Sequence, residues 1–306
     1  VKIIKKYPKI HRLGKDENKD FFKYQDDYVV ITEKLDGANA RMWVEDDEII
    51  FGSRNVNNIN NSDQWGEYID YVKEIVDPDD LDDDFIYIGE FMKPHTISYG
   101  DVPKVIFFDI LYKENGHPIS YDIAMKEFED LNLDYIDPYF EGKLKDLNKE
   151  DLEKFMKKSQ YRDGQPEGIV LKNYDRMNRF GRPLYAKMVN DKFKEKHKAN
   201  FKNDGGKKRD KVYNEMRYLV DKYATEQRIK KQIYNLRDEK GMDISRKMMN
   251  YLIPMVIEDI LQEEIVEIYR SSKINCIDFK VLQQHQMIPS LCLKTIDEMM
   301  DEKVEN

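Results

Sequence analysis

Cysteine is scarce: the 306-residue chain has only Cys276 and Cys292. Two thiols cannot build a disulfide framework, and neither has a histidine nearby at zinc-ligand spacing, so both are expected as core thiols. Long apolar runs are missing as well. No stretch approaches the roughly 18 residues that would span a bilayer, and Val1-Lys2-Ile3-Ile4-Lys5-Lys6 is too short and too charged for a secretory core. The expectation is a cytoplasmic protein with no membrane partner. The five histidines, His11, His95, His117, His197 and His285, are scattered and fit no motif, so they are expected to be structural or exposed. There is no internal repeat.

Charge is abundant. Charged residues make up 36% of the chain and the net charge is −9, which would argue against a polyanionic partner if it were spread evenly. It is segregated instead. Residues 77–84 hold six acids in eight positions, whereas residues 192–211 hold nine Lys/Arg against three Asp/Glu. A local basic stretch can follow a phosphate backbone on an otherwise acidic protein.

Short β-branched and aromatic runs at 28–31, 41–44, 49–51, 85–88, 105–108, 169–172 and 184–189 predict strands, separated by Asn-rich or acidic turns. Helices are expected over 65–75 and 147–158. Beyond residue 200 the pattern changes. After Gly205-Gly206, Val212, Met216, Leu219, Val220 and Tyr223 recur at helical spacing. Further helical runs come around 228–238, 243–252, 255–270 and 289–300, with Pro254 and Pro289 expected to interrupt them. The chain therefore reads as α+β: antiparallel sheets with flanking helices over 1–203, then a small all-α domain over 207–306.

One segment carries a chemical suggestion. Glu33-Lys34-Leu35-Asp36-Gly37-Ala38-Asn39 ends an apolar strand on a lysine, an acid and a glycine. A lysine is almost wholly protonated near neutral pH and must be desolvated, or set beside cations, to become a nucleophile. Alone, K-x-D-G also fits a surface turn. Five downstream segments narrow the choice by their order: Ser53-Arg54-Asn55 after a strand, Gly89-Glu90-Phe91 at the end of another, Phe107-Phe108-Asp109, Glu167-Gly168-Ile169-Val170-Leu171-Lys172, and Tyr185-Ala186-Lys187.

This succession resembles the covalent nucleotidyltransferase superfamily of DNA ligases, RNA ligases and mRNA capping enzymes, over residues 28–190. Lys34 matches the nucleophile of motif I, Arg54 motif Ia, Glu90 motif III and Phe108 the adenine-stacking aromatic of motif IIIa. Glu167 and Lys172 match motif IV and Lys187 motif V. Within the superfamily it is most similar to the phage-type, nick-sealing RNA ligases. Asn39 stands five residues past the nucleophile as in that family, and helices, not an OB domain, follow. Motif V departs from the usual K-x-K, since Tyr185 and Val189 flank Lys187; Lys192 is the candidate substitute.

The resemblance implies an ATP-grasp-like nucleotidyltransferase fold. It also implies a three-step reaction: Lys34 takes AMP from ATP, the AMP passes to a 5′-phosphate, and a 3′-hydroxyl displaces it. Lys172 and Lys187 would neutralise phosphate charge and, with a metal, lower the Lys34 pKa. Glu90 and Glu167 would hold Mg²⁺, with Mn²⁺ as a substitute. Phe108, Glu33 and Arg54 would bind the nucleotide, and Asn39 would act on the nucleic acid. RNA ends, in a nicked duplex or a broken strand, are the expected partner of a monomer. A DNA ligase, a capping guanylyltransferase and an inactive RNA-binding relative are the alternatives.

Overall fold

Alternating apolar residues build the sheets. β2 (Tyr28–Lys34) sends Val29 and Ile31 to one face, where they pack with Ile169, Leu171, Leu184 and Ala186. Val30, Thr32 and Lys34 are left on the other face. The structure is a computed structural model that describes residues 6–93, 96–190, 211–271 and 273–302. The chain divides into two units, Val1–Lys192 and Phe193–Asn306. The boundary expected between 203 and 207, the basic stretch up to residue 210, Lys192 and His95 lie outside the described residues.

The first unit contains two sheets. In one, β2 is flanked by β7 (Pro138–Lys143) and β8 (Gly168–Met177). β9 (Pro183–Val189) and β1 (His11–Arg12) follow, in the order β1-β9-β8-β2-β7. The other runs β4-β3-β5-β6, from β3 (Ala38–Glu45), β4 (Glu48–Ser53), β5 (Phe85–Phe91) and β6 (Val105–Tyr112). Neighbouring strands are antiparallel except β1 and β9. One face of the second sheet packs Met42, Phe51 and Tyr87 with Tyr68 and Val72 of α1 (Gly66–Ile75) and Phe128 of α2 (Tyr121–Asp130). Its other face gives Trp43, Ile86 and Ile88 to a small cluster with Leu111, Tyr7 and Tyr185. Tyr185 belongs to the Lys34 face of the first sheet, so the two sheets meet across this cluster. α3 (Lys149–Phe155) starts at an Asn148/Asp151 capping box.

The second unit is helical: α4 (Lys211–Tyr223), α5 (Glu226–Lys240), α6 (Met249–Arg270), α7 (Phe279–Leu282) and α8 (Ile288–Glu302). Met216, Leu219, Val220 and Tyr223 enter one core with Ile229, Leu252, Ile260 and Ile296. Neither proline interrupts a helix. α6 runs through Pro254 at the cost of one backbone donor, and Pro289 is the second residue of α8, where its missing N–H costs nothing. Cys292 is buried, as expected of a core thiol, and burial pushes its pKa up to about 12. Cys276 is exposed, because it lies in the loop after α6 that Glu215 ties down through the Asn275 amide. No helix among the described residues is long and apolar enough to cross a membrane.

Candidate functional site

β2 ends on Lys34, and the chain turns through Leu35, Asp36 and Gly37 into β3. The turn is tight: a Cβ at Gly37 would lie 2.4 Å from the Phe91 carbonyl oxygen. The Gly37 N–H donates to Glu90 Oε1 at 3.0 Å. The Asp36 N–H donates to the Tyr99 hydroxyl at 2.9 Å, and Asp36 Oδ2 accepts from the Ile97 N–H at 2.7 Å. Opposite Lys34 in the sheet stands Gly168. A Cβ there would meet the Met188 carbonyl oxygen at 2.0 Å, so this position needs glycine. Glu167, the residue before it, places Oε2 2.5 Å from Lys34 Nζ.

Carboxylates thus surround one ammonium. Burial alone would lower the Lys34 pKa, but the charges of Glu167, Asp36 and Glu90 outweigh it and hold the pKa above the ordinary lysine value. Lys172 and Lys187 alone therefore do not depress it; the expectation is for both lysines together with a metal. Burial pushes the Glu167 carboxyl up against the opposing pull of Lys34. Burial likewise raises Glu90 to about 7, with Asp36 and Glu167 adding to the shift and Lys34 and the Gly37 N–H opposing it.

Lys172 and Lys187 share the Lys34 face, since β8 and β9 place Lys172 beside Val30 and Lys187 beside Val170. Lys187 is half-buried, and its charge lowers the Glu167 pKa. Lys172 is 2% exposed. Its Nζ is 2.9 Å from Asp109 Oδ2, donates to the Phe108 carbonyl at 2.8 Å, and lies 4.9 Å from the centre of the Phe108 ring. Burial lowers its pKa. Asp109 also accepts from the Tyr7 hydroxyl at 2.5 Å and the Tyr174 hydroxyl at 2.6 Å. Phe108 is half-buried, with Tyr7 edge-on to its ring at 5.4 Å, whereas Phe107 is fully buried in the core.

The other expected site residues fall differently. Glu33, adjacent to Lys34, points to the opposite face. Its oxygens accept from the Ser159 hydroxyl (2.7 Å), the Tyr139 hydroxyl (2.8 Å) and the Gln160 N–H (2.8 Å). Asn39 lies beside Glu90 in the sheet, and its Oδ1 is buried without a hydrogen-bond partner. Arg54 is exposed on the turn after β4. Fully buried Arg41 holds that turn, donating to the Ser53 carbonyl (2.7 Å) and to Asn57 Oδ1 (3.0 Å). Sequence reasoning passed over Asp36, Tyr99, Tyr7 and Asp109 as site residues. Asp36 and Asp109 stand beside motif residues and could have been found; Tyr7 and Tyr99 arrive only through tertiary contact.

No group of three or more His, Cys, Asp or Glu side chains among the described residues could cage a metal. Mg²⁺ does not need one, as it keeps several waters and uses one or two carboxylates with substrate phosphates. Glu90 and Glu167, both beside Lys34, supply the carboxylates for that mode; burial pushes both toward protonation, and a cation would reverse that shift.

The family model described as RNA ligase matches residues 27–189, which contain every residue of the site except Tyr7. No curated protein matches the chain. Among solved structures, a Naegleria gruberi RNA ligase lysine-to-methionine mutant with AMP and Mn is similar at 15% identity and a TM-score of 0.47. A lysine-to-alanine mutant of it with ATP and Mn is similar at 14% and 0.43, and the ligase with PPi at 15% and 0.43. Each match covers 62% of this chain and 57% of the other, so the chain matches little more than half the length of those proteins.

Proposed function

The chain belongs to the RNA ligase family, and from that premise we propose that it is an ATP-dependent RNA ligase that joins 3′-hydroxyl and 5′-phosphate ends through AMP carried on Lys34. The observation that carries the reading is Lys34 itself: a lysine at a strand end with a carboxylate oxygen 2.5 Å from its Nζ. In this reading residues 1–203 form the adenylyltransferase domain, with a nucleotidyltransferase fold, and residues 207–306 a helical domain that serves the nucleic-acid steps.

Lys34 must first lose a proton, and Glu167 Oε2 is placed to take it. The amine then forms a bond to the α-phosphorus of ATP as the bond to pyrophosphate breaks. Carboxylates hold the lysine protonated in the nucleotide-free protein, so its deprotonation must be coupled to nucleotide binding. Lys187 neutralises charge on the transferred phosphate. Lys172 adds its charge from the buried Asp109 pair and fixes Phe108 as the stacking platform for adenine. Glu90 and Glu167 would hold a divalent ion, which would shield the triphosphate charge. Glu33 braces the nucleophile's strand from behind. Arg54, held out by the turn that Arg41 clamps, contacts the nucleotide. Asn39, with a free buried acceptor, serves the later steps, in which AMP moves to the 5′-phosphate and the 3′-hydroxyl displaces it.

The test is incubation with α-labelled ATP or GTP and Mg²⁺, followed by a denaturing gel. Label from ATP on the wild type and none on Lys34→Ala is expected. Label from GTP alone, or undiminished label on Lys34→Ala, would overturn the reading.

A further inference from the structure

The hairpin between β8 and β9 plays no part in the nucleotide site, yet it is built to display side chains. Residues 176–182 read Arg-Met-Asn-Arg-Phe-Gly-Arg, and no acid occurs from Arg176 to Asn190. The tip is pinned from within: Asn178 Oδ1 accepts from the Phe180 N–H at 2.9 Å and the Arg182 N–H at 3.1 Å. The Asn178 N–H donates to the Arg182 carbonyl at 2.7 Å, and Gly181 takes the left-handed conformation (φ 68°) that closes the turn.

What this rigid tip holds out is an aromatic ring among arginines. Phe180 is 54% exposed, Met177 39%, and Phe180 packs in none of the hydrophobic clusters. The Arg179 guanidinium lies 4.7 Å from the centre of the Phe180 ring. Arg179 also meets Asp16 at 3.0 Å, but both groups are about half exposed, and such a pair is weak enough to yield to a phosphate. Arg182 is exposed and has no acidic partner among the described residues. Behind the tip, Arg176 is held by Asp27 (2.6 and 2.8 Å) and lies 3.7 Å over the Tyr24 ring. One exposed aromatic alone is ordinary on any surface. A pre-set ring flanked by arginines, with no acid on the hairpin beyond Arg176, is the pattern of single-strand and strand-end recognition, in which bases stack and guanidiniums take phosphates.

We propose that this hairpin is an RNA-docking element, with Phe180 stacking a base and Arg179 and Arg182 contacting backbone phosphates at a distance from the joint being sealed. The proposal rests on the ligase reading, because RNA is its ligand. Gly168 faces Lys34 and Met177 ends the same strand, so the tip lies about 30 Å from the nucleophile at about 3.3 Å per residue. At about 3.4 Å per base step for a B-form duplex, and less for A-form RNA, an RNA arm must extend at least about nine steps to reach it.

The test compares wild type, Phe180→Ala, Phe180→Tyr and Arg182→Gln by fluorescence anisotropy on a labelled nicked RNA duplex, with self-labelling by α-labelled ATP and sedimentation measured on each. Phe180→Ala is expected to weaken RNA binding by roughly 5- to 100-fold, the range for loss of one stacked base. Phe180→Tyr should bind as the wild type does. Arg182→Gln should lower the slope of log affinity against log salt by about 0.7–0.9. Both deficits should vanish on a duplex whose arms are trimmed below about nine steps, and self-labelling should stay at the wild-type level throughout. Unchanged RNA affinity in Phe180→Ala and Arg182→Gln would overturn the docking element while leaving the ligase reading intact. So would an Ala deficit that persists on short arms, or one that Tyr fails to restore. A wild type that self-associates through this tip, and loses that association in Phe180→Ala with RNA affinity unmoved, would make it a protein contact instead. A wild type that takes no label from ATP would strike at the ligase reading itself.

Discussion

At Lys34 the environment opposes the reactivity assigned to it. A lysine nucleophile needs a low pKa, and here carboxylates raise it. Glu90 shows the other side of the same arrangement. Its carboxyl sits near 7, above the ordinary glutamate value, because burial disfavours its charge. A native-state pKa raised in this way means that the folded protein binds the proton more tightly than the unfolded chain. The stability contributed is complete below the unfolded value of about 4.5 and is lost as pH rises through about 7. Glu90→Gln cannot ionise, so its stability relative to the wild type should climb between pH 4.5 and 7 and level off above. Denaturant midpoints of both proteins across that range provide the check; a difference independent of pH would show that Glu90 is not held protonated. Glu167 shifts in the same direction but is present in both proteins, so it cancels in first order.

At the scale of the elements, the site depends on how closely β8 approaches its neighbours. Gly168→Ala would press a methyl group against the Met188 carbonyl oxygen, 2.0 Å away, in backbone that cannot swing aside as a side chain could. A loss of about 1–3 kcal/mol or more is expected, together with weaker self-labelling, because Glu167 is carried by the displaced residue. Unfolding curves and the labelling gel would show it, and a variant as stable and active as the wild type would contradict the role given to that approach. The strands that build the site were legible because each is buried on at least one face and carries β-branched or aromatic residues throughout. β7 was not, since it is an edge strand: Pro-Tyr-Phe-Glu-Gly-Lys has no fully buried residue, and a proline is tolerated at its first position. β1 is two residues long and exists only through its pairing with β9. α2 has no counterpart among the expected elements, although Tyr121, Ala124, Met125 and Phe128 recur at i, i+3, i+4 and i+7 and are all buried. The motif order named Lys34, Glu90, Phe108, Glu167, Lys172 and Lys187, which lie on or beside the strands of the first unit. It could not reveal that Lys172 is engaged by Asp109 or that Glu33 faces away, because both arise from sheet register and tertiary contact.

At the scale of the whole molecule, net charge misleads and its distribution informs: the −9 total coexists with a basic stretch at 192–211 and an arginine-rich hairpin. Every residue assigned to nucleotide chemistry lies in the first unit, and the second has a core of its own. A chain ending at residue 203 should therefore still label itself from ATP but seal RNA poorly, and a truncated protein that folds yet takes no label would refute that division of labour. The proposed ligase works only if AMP is carried on the Nζ of Lys34. The most direct measurement is peptide mapping by mass spectrometry, at neutral to alkaline pH, of the wild type after incubation with ATP and Mg²⁺. One AMP is expected on the peptide containing Glu33-Lys34-Leu35-Asp36-Gly37, discharged when RNA with a 5′-phosphate is added. AMP on any other lysine, or a modified Lys34 that RNA does not discharge, would contradict it.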